Sequence, residues 1–292
     1  MNLGCLVDKG SFSAISAARA RAFMEAPLPR SYTDYLGHRL FRLLLTVQGL
    51  LAFALITLGV ILTKMNVAQS VTFPLIFREM KRSGMDLIPL FLFMSAALGF
   101  ATIGQAVTLL SQYGATSYLG TIMVAVVVRE LGPLFTAMLV LSRSGTANVI
   151  ELGTARSQGE VEALEALGVD PIHYLVMPRV IGMALGVFAL SIYFIMGALL
   201  TGYLWAFLQN VPLQPGEYFR QLSAALTSLD FAILAVKSSA FGVSIAVITC
   251  YHGLSRPLQL EEVSRATIGA VAQCIIACVV IDVIFIFVYR TL

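Results

Sequence analysis

The sequence predicts an all-α polytopic membrane protein. About five transmembrane helices are expected, plus an N-terminal interfacial or re-entrant helix and one short helix outside the lipid on the cytoplasmic side. Three observations carry this. Hydrophobic residues make up 58% of the 292 residues and charged residues only 12%, about half the charged share of an ordinary soluble domain. The apolar residues come in repeated runs of about 20, the length that crosses a hydrocarbon core. Within those runs polar and apolar residues do not alternate, which excludes a membrane β-barrel.

Residues 1–37 read as a loose, mildly basic tail with no apolar core ahead of a small-residue cleavage site. Residues 38–292 form the membrane domain. The run 43–62 is long enough to span, yet Arg39 and Arg42 precede it and Lys64, Arg78, Lys81 and Arg82 follow it. Lys and Arg gather on cytoplasmic flanks, so both ends are placed on one side and the run is read as in-plane or re-entrant. A second interfacial piece is expected at 73–86. Spans follow at 87–110, about 120–141, about 180–207, about 231–251 and about 268–289. The third holds Gly182 and Gly186, a spacing that permits close helix contact. Pro212 and Pro215 mark a loop, and a short helix is expected at 217–227.

Loop charge sets the topology. The loops at 64–86, 142–179 and 252–266 hold nine Lys or Arg residues, whereas those at 111–119 and 208–229 hold only Arg220. The first set is cytoplasmic. The N-terminus then lies inside and the C-terminus outside. A net charge of +3 gives no sign of a nucleic-acid partner, and none is expected. Cys250, Cys274 and Cys278 lie in or beside apolar runs without a C-x-x-C pair and read as packing residues. His38, His173 and His252 are scattered.

Between the second and third spans lies a soluble, acidic segment. Ser157 and Glu160 have the spacing of a capping box. Val161, Leu164 and Leu167 recur on one face, with Glu160, Glu162 and Glu165 mostly off it. Gly168 supplies a stop, and Asp170-Pro171 a turn. Such a helix lies at a membrane surface. Its stripe docks either into a cytosolic motor subunit or onto lipid and the protein's own bundle.

Arg129, Glu130, Lys237 and Asp282 fall inside spans, at roughly 10–15 Å depth by a rise of about 1.5 Å per residue. Ionisable groups there are costly. Two readings stand: a structural ion-pair network, or the polar part of a cavity whose apolar walls come from 87–110 and 135–141. Pro133 lacks an N–H and is expected to break or kink the helix beside the charged pair. No phosphate-binding Gly-Lys loop, zinc-protease or serine-hydrolase motif is present. The chain by itself is not expected to hydrolyse ATP.

Several of these stretches occur together in one family. RELGP at 129–133, SRSGTA at 142–147, ELGTAR at 151–156, EALEALGVDP at 162–171 and LVMPR at 175–179 resemble the MlaE/YrbE family of ABC-transporter permeases, which work with MCE proteins in bacterial lipid trafficking. KSSAFG at 237–242, YHG at 251–253 and VSRAT at 263–267 extend the resemblance over about residues 70–290. One departure is Gly159-Glu160, where members often carry Glu-Gln. The resemblance implies a homodimeric permease of the bacterial inner membrane, two cytosolic ABC ATPase subunits that bind the ATP, an external MCE-domain partner and phospholipid or related hydrophobic cargo. The chain itself needs no cofactor or metal. Residues Glu160, Val161, Leu164, Glu165, Leu167 and Asp170 would contact the ATPase. Arg129, Glu130, Pro133, Lys237 and Asp282 would line the substrate cavity. A stand-alone proton-coupled transporter using Glu130 or Asp282, and a scaffold without transport, are the alternatives.

Overall fold

The structure is a computed structural model that describes residues 30–64, 69–84, 88–114, 118–208, 215–255 and 260–291. Most of the expected N-terminal tail lies outside these residues. The chain divides into two units, residues 1–51 and 52–292. Every described element is a helix. They are α1 (Arg30–Lys64), α2 (Gln69–Ser83), α3 (Ile88–Gln112), α4 (Leu119–Ser157), α5 (Glu160–Ala166), α6 (Ile172–Leu208), α7 (Pro215–Ala225), α8 (Ser228–Leu254) and α9 (Leu260–Thr291).

Among the described residues six helices are long and apolar enough to cross a membrane. Five are the expected spans, carried by α3, α4, α6, α8 and α9. The sixth is Thr46–Thr63 within α1. Helix α1 starts inside the expected tail and runs unbroken for 35 residues, so any return of the chain to the same side takes place beyond its ends.

The two longest helices outrun the membrane by the widest margin. Helix α4 has 39 residues and α6 has 37, which gives each a length near 55–60 Å at about 1.5 Å per residue. The hydrocarbon core is about 30 Å thick. The sequence reading treats 142–179 as a loop around one short helix. Instead, α4 continues through SRSGTANVIELGTARS to Ser157 and α6 begins at Ile172. The physical reason is tertiary. Asn148, Val149, Leu152 and Gly153 are buried, and α8 packs along this extension, so an apparently soluble stretch has a helical neighbour to bury its apolar side.

Helices α2 and α3 run parallel to α6. Glu79 meets α6 at Gly182, Phe91 meets Phe194 at a ring-centroid distance of 6.2 Å, and Gly104 lies against Trp205. Lipid tails are as apolar as the side chains, so helix association in a membrane depends on close packing. Glycine supplies it here. A Cβ on Gly182 would come within 2.8 Å of the Glu79 Cβ, and one on Gly99 would strike the Ala198 carbonyl. The expected small-residue pair at 182 and 186 therefore does bring a helix close, and that helix is α2.

Helix α7 spans residues 215–225, two short of the expected end. Its Tyr218 is buried, donates its hydroxyl to the Leu199 carbonyl at 3.3 Å and lies against the Tyr203 ring at 5.2 Å. Burial pushes the Tyr218 phenol up to about 12. Ile103, Val127, Ile195 and Leu222 join α3, α4, α6 and α7 into one core.

Candidate functional site: a buried charge cluster and a docking helix

Lys237 lies on α8 two to three turns from its start, and its side chain is 1% exposed. An ammonium has three donors and no acceptor. All three are used. Its Nζ lies 2.8 Å from Glu130 Oε2, 2.7 Å from Asp282 Oδ1, and donates to the Arg129 carbonyl at 2.9 Å.

Next to that carbonyl the helix changes its hydrogen-bond register. In an α-helix the N–H of residue i bonds the carbonyl of residue i−4. Beside the charged pair the bond reaches one residue further, the Gly132 N–H bonding the Val127 carbonyl, and Pro133, next in line, has no N–H to continue it. Helix α4 is π-helical over Val124–Leu131, and Pro133 sits in the first turn of the α-helix that follows. The expected break is thus a widening of the helix, and the Arg129 carbonyl within it accepts from Lys237.

The other expected residue, Arg129, does not join this tripod through its side chain. Its Nε lies 2.8 Å from Asp230 Oδ1 and its Nη2 donates to Oδ2 at 3.3 Å. The guanidinium stands over the Tyr289 ring at 5.0 Å, and the Tyr289 hydroxyl donates to Asp230 Oδ1 at 3.3 Å. Asp230 is 2% exposed. Sequence reasoning missed it by placing it at the edge of a loop. A signal was there: Thr227-x-x-Asp230 precedes an apolar run, and the Thr227 N–H does donate to Asp230 Oδ2 at 2.9 Å. Three carboxylates therefore face two cations across α4, α8 and α9.

The second candidate site sits at the far end of α4 and α6. The expected Ser157 capping box is absent. Ser157 ends α4 and donates its hydroxyl to the Thr154 carbonyl at 2.8 Å, while Gly159 turns the chain with φ +77°. That φ favours glycine. The expected stop at Gly168 is found, with φ +76° and the Val169 N–H bonding the Leu164 carbonyl. Asp170 accepts the Ile172 N–H on its side chain at 3.0 Å, so it caps α6 rather than offering a free carboxylate.

The expected stripe on α5 is divided. Val161 is buried within the chain, Leu164 is half-buried and Leu167 is 78% exposed. Glu160, Glu162 and Glu165 are exposed. Leu164 and Leu167, with Ala155, Ala163, Tyr174 and Leu175, line a groove of about 310 Å³. Arg156 ties this end to α8 by bonding the Leu254 carbonyl and lies 3.8 Å from Glu162.

A family model described as Permease MlaE matches residues 76–288, which takes in every charged residue of the cluster and all of α5. The chain belongs to the MlaE permease family. Its relatives include a probable ABC transporter permease protein of Rickettsia felis, 30% identical over 203 residues, covering 68% of this chain and 76% of that protein. The intermembrane phospholipid transport system permease protein MlaE of Haemophilus influenzae is 26% identical over 217 residues, covering 73% and 81%. The chloroplastic protein trigalactosyldiacylglycerol 1 of Arabidopsis thaliana is 29% identical over 210 residues, covering 70% and 58%.

In this member of the family, α2 is tied to α4 and α6 by a network that sequence reasoning did not find. Arg82 of α2 makes a two-pronged pair with Glu151 of α4, which raises the Arg82 guanidinium above its ordinary value. Arg179 of α6 lies 3.3 Å from Glu151 and 3.9 Å from Glu79. Glu151 and Arg179 lie in ELGTAR and LVMPR, but nothing in one sequence places Glu79 and Arg82 of α2 beside them. An apolar cavity of about 720 Å³ lies between α3, α6, α7 and the start of α8. None of Arg129, Glu130, Pro133, Lys237 or Asp282 lines it. Of the expected walls, 87–110 contributes Ile88, Phe91 and Leu92, and 135–141 contributes nothing.

Proposed function

We propose that this chain is the membrane subunit of an ABC transporter that moves phospholipid between the bacterial inner membrane and an external MCE-domain protein. In this reading two copies of the chain pair in the membrane and two cytosolic ATPase subunits drive them. The observation that carries it is α5. A seven-residue helix held between two positive-φ glycines presents the exposed Leu167 and half-buried Leu164 beside a groove, at the tip of helices that outrun the membrane. A free surface helix has no need of such fixation, whereas a force-bearing contact does.

The geometry gives a route for that force. Val161 is buried and Asp170 caps α6, so α5 is fixed to the ends of both α4 and α6. A push on α5 displaces two continuous rods. At the other end of α4 lies the charge cluster, where α4, α8 and α9 are joined by ion pairs instead of close packing alone. Ion pairs in a water-poor site have few alternative partners, so their exchange defines discrete arrangements. The family match and the Haemophilus relative's name support phospholipid as cargo.

The test replaces Leu167, and separately Leu164, with Asp. Burying an unpaired carboxylate under a docked subunit costs roughly several kcal/mol. The expected result is loss of stoichiometric ATP-hydrolysing subunit from the purified permease, with the permease still in the membrane. Retention of that subunit by Leu167→Asp overturns the docking assignment.

A further inference from the structure

Behind α5 the ion pairs that join α2, α4 and α6 are complete on one side and incomplete on the other. Glu151 lies about two turns before the end of α4, and Arg179 about two turns after the start of α6. Arg179 Nη2 donates to Glu151 Oε2 at 3.3 Å, which ties the two rods to each other. Arg82 of α2 donates to both oxygens of the same carboxylate. On the other side, Arg179 Nε and Nη1 are closed to solvent and have no hydrogen-bond partner. Glu79 Oε1 lies 3.9 Å from that Nε, and the two side chains are only 7% and 11% exposed. At this separation the gap is too wide for a hydrogen bond and too narrow to seat a water in line. Buried N–H groups of a cation without an acceptor are costly.

A small shift completes the pair. Glu79 is held on α6, because its Cβ lies where a Cβ on Gly182 would come within 2.8 Å of it. It therefore travels with Arg179, whereas Glu151 belongs to α4. When α6 draws away from α4, Arg179 leaves Glu151 and closes on Glu79. Glu151 is not stranded, since Arg82 still holds both of its oxygens. Both arrangements are balanced in charge and differ in the helix to which Arg179 is bonded. Packed helices change state between discrete arrangements of this kind and do not bend gradually.

We propose that Arg179 is a positioning residue that exchanges Glu151 of α4 for Glu79 of α2 when the docked ATPase subunit acts on α5, so that α4 and α6 part at this end in one step. The proposal rests on the transport reading and adds to it the contact that switches.

The test uses the full-length chain with its retained ATP-hydrolysing subunit, reconstituted in phospholipid. Glu79→Gln keeps the shape of the side chain and removes the charge on which Arg179 closes. A fixed brace would lose stability and transport together. The exchange predicts an unfolding temperature no lower than that of the unaltered chain, with lipid transfer per ATP hydrolysed lowered at least fivefold. Spin labels at Ile150→Cys and Leu185→Cys, positions exposed on α4 and α6, in a chain lacking its native cysteines, read the separation of the rods. Their distance distribution should differ between the nucleotide-free and vanadate-trapped complexes. Glu79→Gln should keep the nucleotide-free distribution in both, and Glu151→Gln should show the trapped distribution without nucleotide. Undiminished transfer by Glu79→Gln overturns the exchange alone, as does a fall in unfolding temperature that accompanies the loss of transfer. A distribution that is the same in both nucleotide states also overturns it. An unaltered chain with no ATP-driven transfer overturns the transport reading and the exchange with it.

Discussion

Removing the Lys237 ammonium is the sharpest perturbation of the charge cluster. Lys237→Met keeps much of the side-chain volume but deletes the donor to Glu130 and the Arg129 carbonyl and the cation beside Asp282. Two carboxylates are then left facing each other. Breaking a buried pair by removing one partner costs about 3–5 kcal/mol. The Glu130 side chain is 31% exposed and Asp282 only 15%, so solvent relieves the first more than the second, and the expected cost lies near the lower end, about 3 kcal/mol. For a chain of this size each kcal/mol shifts Tm by about 2–4 °C, which gives roughly 6–12 °C. The assay is thermal unfolding of the purified protein in one detergent at one lipid ratio, paired with lipid transfer by the reconstituted system. Lys237→Met should lower Tm by that amount and impair transfer with the subunits still assembled. Replacing all three partners together, Lys237→Met with Glu130→Gln and Asp282→Asn, removes the unpaired charge and should recover most of the Tm without recovering transfer. An unchanged Tm in the single variant refutes the tripod as a buried ion pair. Full transfer by the triple variant refutes its part in transport.

Two further outcomes are expected. Single cysteines at positions 31 and 70, in a chain lacking its native cysteines, report the path of α1: if the basic flanks hold both ends inside, neither is labelled by an impermeant thiol reagent in spheroplasts until the membrane is opened, whereas labelling at position 70 alone shows that α1 crosses. The Tyr218 phenol, raised by burial from about 10 in the unfolded chain to about 12, contributes stability that is complete below pH 10 and lost as pH rises to 12; Tyr218→Phe should flatten unfolding temperature against pH in that window, and an unaltered slope would mean that the hydroxyl is not buried.

How much was legible in the sequence depends on what kind of interaction fixed each feature. The apolar runs report burial in lipid directly, so five expected spans reappear as α3, α4, α6, α8 and α9. Gly168 was legible because a positive φ demands glycine locally. The Ser157 capping box failed because Ser157 satisfies the local rule equally well as the last residue of a longer helix, and only the burial of Val149 and Leu152 against neighbouring helices extends α4 that far. The charge cluster shows the same division. Glu130, Lys237 and Asp282 announced themselves by the cost of placing charge in a span. Their grouping did not, since partners 107 positions apart along the chain are joined only by the packing of α4 and α8. Asp230 stood at a helix boundary, where a carboxylate is ordinary, so its capture of Arg129 left no mark beyond a cap motif. Pro133 links the two levels. Its missing N–H is a property of one residue, but the contact beside it, between the Arg129 carbonyl and a lysine on another helix, exists only once the fold brings Lys237 there. A Pro133→Ala chain would regain a backbone donor where the π-helical stretch meets the α-helix, one turn from the carbonyl that Lys237 holds, so the proline acts on the cluster although it carries no charge.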